Sequence, residues 1–205
     1  MILEIYPSSP DERKLKELCI CLENGGVIIY PTDTVFAIGC DITNKVAVEK
    51  LIKIKKILGS NNQKFTMFCK DISQMSEFCK PISSNVFREI KRRIPGAYTF
   101  ILSSSKDVSK QLNLKRKEIG IRISRSQAVN MILDSYKKPL LTTSIFKTYD
   151  EEKYYFTNIS EIPEELTHEV NIIVDTGEQC GIIPTSVIDF SSGCLEIIRK
   201  GLGEL

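Results

Sequence analysis

The sequence predicts an α/β protein, a single-domain twisted mixed sheet flanked by helices, and three observations support this fold class. Apolar runs typical of strands alternate with amphipathic helical patterns in the first half of the chain. Helical patterns are fewer in the second half, so we expect a mixed sheet rather than an all-parallel one. The 205 residues contain no repeat and no low-complexity linker. We therefore expect one domain over residues 1–205.

The first predicted unit is a helix followed by a buried strand. Ser9 is expected to cap the helix, with Pro10 at its first position and Glu12 closing a capping box. Asn24-Gly25-Gly26 supplies the positive-φ residues that end a helix. The apolar run Val27-Ile28-Ile29-Tyr30 follows and predicts a buried strand.

The segment Pro31-Thr32-Asp33-Thr34 comes directly after this strand and is the leading candidate for a ligand site. In open α/β sheets, small molecules bind beyond the carboxyl ends of strands. The alternative is that Pro and Asp merely end the strand and cap the next element. Downstream, Ala47, Leu51, Ile54 and Leu58 recur on one helical face, so the loop is expected to join a strand to a helix.

Short runs of β-favouring residues predict further strands at residues 65–69, 98–102, 119–123, 140–143, 170–174, 186–190 and 194–198. Short helices are predicted after Asp71 and after Ser84, the second of which ends at Ile94-Pro95-Gly96.

Two later strand ends repeat the chemistry of the first loop. Thr142-Thr143-Ser144 places three hydroxyls after one strand, and Pro184-Thr185-Ser186 places two before another. Arg122 lies within a predicted strand and Arg199 follows a further one. Hydroxyls and fixed guanidiniums around a cavity suit phosphate and carboxylate groups. For each hydroxyl alone, a satisfied turn remains the alternative interpretation.

Composition disfavours several classes of protein. No apolar run approaches the length of a membrane span, and the amino terminus does not read as a signal peptide, so we expect a cytoplasmic protein without a membrane partner. The seven cysteines form no C-x-x-C pair, and His168 is the only histidine. A metal bound by protein thiolates, and hydrolases with Ser-His-Asp or Cys-His sites, are therefore disfavoured.

Charge is distributed unevenly, although the net charge is only +2. Residues 88–125 carry eleven basic side chains against three acidic ones, whereas residues 147–178 carry two lysines against nine acids. One face is therefore a candidate RNA-binding surface, with Arg92, Arg93, Lys115, Arg116 and Lys117 as its candidate residues. The alternative is that these charges only solvate helix faces, because a pI near 8.1 is far from that of a dedicated nucleic-acid binder.

The motifs, in this order, resemble those of the YrdC-like family of threonylcarbamoyl-adenylate synthases over almost the whole chain. The similar segments are Gly25-Gly26, residues 31–41, residues 95–102, residues 120–123, Thr142-Thr143-Ser144, residues 184–189 and Ile198-Arg199-Lys200-Gly201. Residues 6–10, 65–71 and 115–120 resemble the YciO branch of that family.

This resemblance implies a concave basic cavity that binds ATP, with Mg²⁺, and L-threonine. Threonine and bicarbonate form a carbamate, which attacks the α-phosphate of ATP and expels pyrophosphate, giving an intermediate for tRNA adenosine modification. Carried over by position, Lys55 and Arg122 become the catalytic residues. Threonine binding falls to Thr32, Asp33, Thr34, Thr143 and Ser144, and ATP binding to Lys55, Lys64, Arg122, Ser144, Thr185, Ser186 and Arg199.

Two departures from the family pattern keep an alternative open. Where synthases carry Lys-x-Arg, this chain has Lys55-Lys56-Ile57, and where they carry Ser-x-Asn it has Ser144-Ile145-Phe146. The wall of the pocket that holds phosphate is thus expected to be altered at Ile57 and Phe146. The alternative is a paralogue that binds tRNA or double-stranded RNA with little or no synthase activity.

Overall fold

The computed structural model describes residues 1–59, 64–112, 117–150 and 152–205. The helices are α1 (Glu12–Glu23), α2 (Lys45–Ile57), α3 (Ile72–Phe78), α4 (Ser84–Lys91), α5 (Lys106–Gln111), α6 (Gln127–Tyr136) and α7 (Glu164–His168), with a 3₁₀ turn at Ile159–Glu161. The strands are β1 (Ile2–Glu4), β2 (Val27–Tyr30), β3 (Ala37–Asp41), β4 (Thr66–Phe68), β5 (Tyr98–Ser103), β6 (Glu118–Arg122), β7 (Leu140–Ser144), β8 (Lys147–Tyr149), β9 (Glu152–Tyr154), β10 (Ile172–Asp175), β11 (Ser186–Asp189) and β12 (Glu196–Arg199).

Ten of these strands form one mixed sheet in the order β1-β10-β2-β3-β7-β4-β6-β5-β11-β12. Strands β1, β10 and β2 are parallel, β3 and β7 are antiparallel to their neighbours, and β12 is an antiparallel edge strand. The remaining two strands, β8 and β9, form a separate antiparallel hairpin. The mixed sheet agrees with the predicted fold class.

The central strands β2 and β3 are buried on both faces of the sheet. Along β2, Val27 and Ile29 pack into one apolar core, whereas Ile28 and Tyr30 pack into the core on the opposite face. The neighbouring strand β3 is buried at all five positions. Strands that are buried on both faces of a sheet have continuous apolar sequences, and this explains the unbroken apolar run at residues 27–30.

The connection after β2 differs from the predicted one. The loop at residues 31–36 does not lead directly into a helix, because it turns the chain into β3, which pairs antiparallel with β2 (Tyr30 opposite Ala37). Only then does α2 begin, with the side chain of Asn44 accepting from the amide of Ala47. The predicted strand–loop–helix unit was therefore wrong by one strand.

The predicted cap of the first helix was also wrong. Asp11, not Ser9, caps α1, because its carboxylate accepts hydrogen bonds from the amides of Arg13 and Lys14. Ser9 instead lies in a turn in which its amide donates to the carbonyl of Tyr6. Of the described helices, none combines the length and the apolar character needed to cross a membrane.

Candidate functional site

A cavity of about 820 Å³ lies across the half of the sheet that runs from β3 to β12. Residues from seven neighbouring strands line it, because β3, β7, β4, β6, β5, β11 and β12 all contribute side chains to one face. The helix α2 and the hairpin β8–β9 add Lys55 and Lys153. The size is that of a small-molecule site.

Of the eleven residues predicted to bind threonine or ATP, seven line this cavity, namely Lys55, Lys64, Arg122, Thr143, Ser144, Thr185 and Arg199. They come from positions between 55 and 199, so the fold brings together residues that lie far apart in the sequence. The other four, Thr32, Asp33, Thr34 and Ser186, are not among the lining residues.

Arg122 connects the cavity to the loop at residues 31–36. Its Nη2 atom lies 2.5 Å from Asp33 Oδ1 and donates to Thr34 Oγ1 at 3.0 Å. Ser124 Oγ also donates to Asp33 Oδ1. On its other side the guanidinium carbon lies 4.9 Å from the centroid of the Phe68 ring. Arg122 is thus held in one orientation at the floor of the cavity.

Burial lowers the pKa of Arg122, and the nearby carboxylate of Asp33 opposes that effect. Arg122 Nε and Asp33 Oδ2 are buried and have no hydrogen-bond partner among the described residues. An unpartnered buried guanidinium donor is unfavourable. Arg122 as a residue lines the cavity, so its guanidinium is suited to an anionic ligand there.

The two threonines of the loop support this arrangement rather than lining the cavity. Thr32 Oγ1 donates to the carbonyl of Val35 at 2.7 Å and accepts from the amide of Thr34 at 3.1 Å. Thr34 Oγ1 is in turn the acceptor for Arg122. The loop predicted to bind a ligand therefore positions a residue that faces the cavity.

Lys55 is the buried cation contributed by α2. Its side chain is only 4% exposed, and its Nζ donates to the carbonyl of Lys64 and lies 4.2 Å from the centroid of the Phe65 ring. Burial, followed by the charges of Lys153 and Lys64, lowers the pKa of Lys55 to about 8. An anion in the cavity would stabilise the charged form.

Arg199 forms the third fixed cation. Its Nε donates to the carbonyl of Thr185 at 2.9 Å, and its Nη2 donates to Thr185 Oγ1 at 3.2 Å. The hydroxyl of Thr185 also lies 2.9 Å from Thr99 Oγ1. Ser186, which was predicted to bind ATP, instead donates to the carbonyl of Gly203 at 2.6 Å and holds the chain after β12.

The two departures from the family motifs lie in different places. Phe146 lines the cavity and packs edge-on against Tyr155. Ile57, by contrast, is 56% exposed and is not among the lining residues. Of the two positions, Phe146 lines the cavity and Ile57 does not, so the expectation that Ile57 lies in its wall was wrong.

Sequence reasoning missed several lining residues, namely Thr66, Thr99, Glu118, Lys153, Tyr155 and Asp189. Lys153 is the most informative of them. It is one of only two lysines in a segment that the charge pattern marked as acidic. The β-favouring residues Thr148, Tyr149, Tyr154 and Tyr155 in this segment were the available signal, because such residues are typical of short strands.

Two of the predicted RNA-binding residues that the structure describes are paired with an acidic side chain. Arg92 and Arg93 both pair with Glu89, at 3.0 and 2.6 Å. Lys117 is exposed, whereas Lys115 and Arg116 lie outside the described residues. RNA binding stays a prediction.

Comparison with known proteins assigns the fold and the family. Residues 21–201 match the Sua5/YciO/YrdC family model, described as "Telomere recombination". A protein of Escherichia coli strain K12 named "Uncharacterized protein YciO" is 33% identical over 202 residues, which are 98% of this chain and 95% of that protein. A threonylcarbamoyl-AMP synthase of Vibrio vulnificus strain YJ016 is 25% identical over 162 residues, 78% of this chain and 84% of the synthase.

Solved structures show the same architecture. The crystal structure of E. coli YciO matches with a TM-score of 0.87 at 31% identity, covering 100% of this chain and 97% of that one. The crystal structure of P. abyssi Sua5 complexed with L-threonine matches with a TM-score of 0.84, covering 98% of this chain and 57% of that one. At 19% identity the second match shows the fold alone.

Proposed function

The chain belongs to the Sua5/YciO/YrdC family, as its motifs predicted, and from that premise we propose that it is an L-threonylcarbamoyladenylate synthase-type nucleotidyltransferase. Its substrates would be MgATP, L-threonine and bicarbonate, and its products threonylcarbamoyl-AMP, pyrophosphate and water. The similarity to a named threonylcarbamoyl-AMP synthase supports the reaction class.

One observation carries the proposal: fixed cations and hydroxyls surround a single cavity of suitable size. Lys55, Arg122 and Arg199 line it together with Thr143 and Ser144. Of these three cations, Arg122 pairs with the carboxylate of Asp33. Lys55 and Arg199 form no ion pair with a carboxylate among the residues that the structure describes. Such a site favours a polyanion and suits a reaction in which negative charge moves onto a leaving pyrophosphate.

The proposed reaction begins with threonine. Its amine attacks the carbon of bicarbonate, water leaves, and a carbamate forms. A carbamate oxygen then attacks the α-phosphorus of ATP, and the bond to the β-phosphate breaks to release pyrophosphate. The site would hold both reactants in line and stabilise the charge that develops on the phosphates.

The residues divide between the two substrates. We assign Arg122 to the threonine carboxylate and the hydroxyls of Thr143 and Ser144 to the same region, although the family resemblance also implies ATP binding for Arg122 and Ser144. Lys55 and Arg199 are assigned to the phosphates, with Lys64 and Thr185 beside them. Thr32, Asp33 and Thr34 act by orienting Arg122.

Mg²⁺ is part of the nucleotide substrate in this scheme. The described residues contain no group of three or more His, Cys, Asp or Glu side chains placed to hold a metal. Phosphate oxygens would therefore supply most of its ligands, as is usual for Mg²⁺ bound with a nucleotide. The product would serve tRNA adenosine modification in the cytoplasm.

The test is pyrophosphate release measured with ATP, threonine and bicarbonate, each omitted in turn. The proposal expects release only when all three are present. Arg199→Ala should reduce the rate about 100-fold, whereas Arg92→Ala, on an exposed helix end, should leave it unchanged. Absence of release at every pH and Mg²⁺ concentration, combined with salt-sensitive tRNA binding, would overturn the synthase and favour the RNA-binding alternative.

A further inference from the structure

The hairpin β8–β9 lies beside the cavity and outside the main sheet. Thr148 pairs with Lys153 across the hairpin, and Lys147 pairs with Tyr154. A Cβ atom placed on Gly59 would lie 3.8 Å from Thr148 Oγ1. The hairpin therefore sits next to the carboxyl end of α2, the helix that carries Lys55.

Lys153 extends from this hairpin into the cavity lining. Its Nζ lies 4.2 Å from the centroid of the Phe146 ring, which also packs against Tyr155 with centroids 6.0 Å apart. An ammonium held over an aromatic face is attracted to the ring and restricted in position. Phe146 thus aims Lys153 at the same space that Lys55 and Arg199 face.

The three cations influence one another. The charge of Lys153 contributes to the lowered pKa of Lys55. Burial and then the charge of Arg199 lower the pKa of Lys153 itself. None of the three forms an ion pair with a carboxylate among the described residues. The carboxylates of Glu118 and Asp189 also line the cavity but form no ion pair with these cations among the described residues. Three like charges without an ion-pair partner are unfavourable, so the arrangement is suited to a bound polyanion.

The helix α2 does not supply this charge by itself. Lys55 is its one side chain in the described cavity lining, whereas Ile57 is exposed and outside that lining. The hairpin adds a further cation from a separate element.

We propose that Lys153 is a polyphosphate-binding residue that completes, with Lys55 and Arg199, the part of the cavity that holds the phosphates of a nucleoside triphosphate. The identity of the nucleotide as ATP rests on the proposed function. The binding of polyphosphate by Lys153 does not. Phe146 is the positioning residue for Lys153.

The test is calorimetric titration of the full chain with inorganic tripolyphosphate, ATP and L-threonine. Lys153→Ala is expected to weaken tripolyphosphate and ATP binding about tenfold, as for a lost charge-assisted hydrogen bond. Threonine binding should not change. Lys147→Ala is the matched control on the same hairpin, and Lys153→Arg should retain the affinity. Phe146→Leu keeps an apolar side chain without the ring and should weaken tripolyphosphate binding about threefold.

The outcomes separate this inference from the synthase proposal. Tripolyphosphate binding that depends on Lys153, without threonine-dependent pyrophosphate release, would support the inference while the synthase proposal fails. Equal affinities for Lys153→Ala and Lys147→Ala would overturn the inference, even in an active enzyme. So would a wild-type chain that binds neither tripolyphosphate nor ATP.

Discussion

Asp33 and Arg122 form a buried ion pair, with Asp33 Oδ1 2.5 Å from Arg122 Nη2 and both side chains less than 10% exposed. The pair joins the loop after β2 to the end of β6, two segments that are far apart in the sequence. The position of the loop and the orientation of Arg122 in the cavity lining are therefore coupled.

Replacing Asp33 with Ala should lower the free energy of unfolding by about 3–5 kcal/mol, because Arg122 would remain as an unpaired buried charge. Urea denaturation monitored by circular dichroism would measure the change. Asp134→Ala is the control, since Asp134 pairs with Lys70 on the surface and about half of each side chain is exposed. Exposed pairs contribute little, so similar losses in the two variants would contradict a structural role for the buried pair.

ATP affinity should fall as the pH rises through about 8. Lys55 has its pKa lowered to about 8 by burial and by the neighbouring charges of Lys153 and Lys64. Above that pH the amine loses its charge, and bound phosphate would move the transition upward by favouring the charged form. Titrations at pH 7, 8 and 9 would measure the trend. In Lys55→Met the binding should be weak throughout, without a decline in this range.

Lys55→Met should be more stable than the wild-type chain at pH 7. Below the lowered folded-state pKa, Lys55 is charged in both states, so the folded chain bears the full cost of burying the charge. That cost declines as the pH rises from about 8 to 10.5, where the amine is neutral in both states. The melting temperature should rise by about 2–4 °C at pH 7 and by less near pH 10. Lys56→Met, at the exposed neighbouring position, is the control and should leave the melting temperature nearly unchanged.

Gly201→Ala should weaken ATP binding and destabilise the fold. A Cβ at Gly201 would overlap the backbone of Pro184 and Thr185, and Thr185 is the residue that holds Arg199. Overpacking of this kind costs about 1–3 kcal/mol. Gly193→Asn is the control, because Gly193 has open space around it and Asn tolerates its positive φ. Unchanged ATP affinity in a folded Gly201→Ala variant would show that Arg199 does not depend on this contact.

Ile57→Arg should leave ATP affinity within about twofold of the wild type, as for an ordinary surface substitution. Ile57 is exposed and lies outside the described cavity lining. Calorimetry would measure the affinity. A large gain would instead mean that the helix end can deliver a guanidinium to the phosphates and that Lys153 does not fill that role.

The sequence predicted the elements whose patterns are local. Strand β2, helix α2 and the later strands carrying Arg122 and Arg199 lie close to their predicted positions. Strand β3 was missed although it is buried at all five positions, as β2 is. Its sequence, which includes Ala37, Gly39 and Asp41, lacks the run of β-favouring residues that predicted β2.

The site was predictable where a residue type and a strand end coincide, as for Ser144 and Thr185. The site was not predictable where the position of a lining residue depends on its packing against a different element. Lys153 lies on an exposed hairpin and gains its position from Phe146, so its place depends on tertiary packing. The threonines of the first loop are the opposite case. The loop has the composition of a ligand-binding loop, but the hydroxyls of Thr32 and Thr34 hydrogen-bond to the carbonyl of Val35 and to the guanidinium of Arg122.

Strand β10 lies between β1 and β2, with Ile173 opposite Ile2 on one side and Ile29 on the other. Asn171, just before β10, bonds to Val27 across 144 residues of chain. During synthesis at about 5–20 residues per second, β1 and β2 are therefore made roughly 7–30 seconds before β10, the strand that pairs with both. Unpaired strand edges are sites of aggregation, so we expect nascent chains stalled before Ile172 to need chaperones that the completed protein does not.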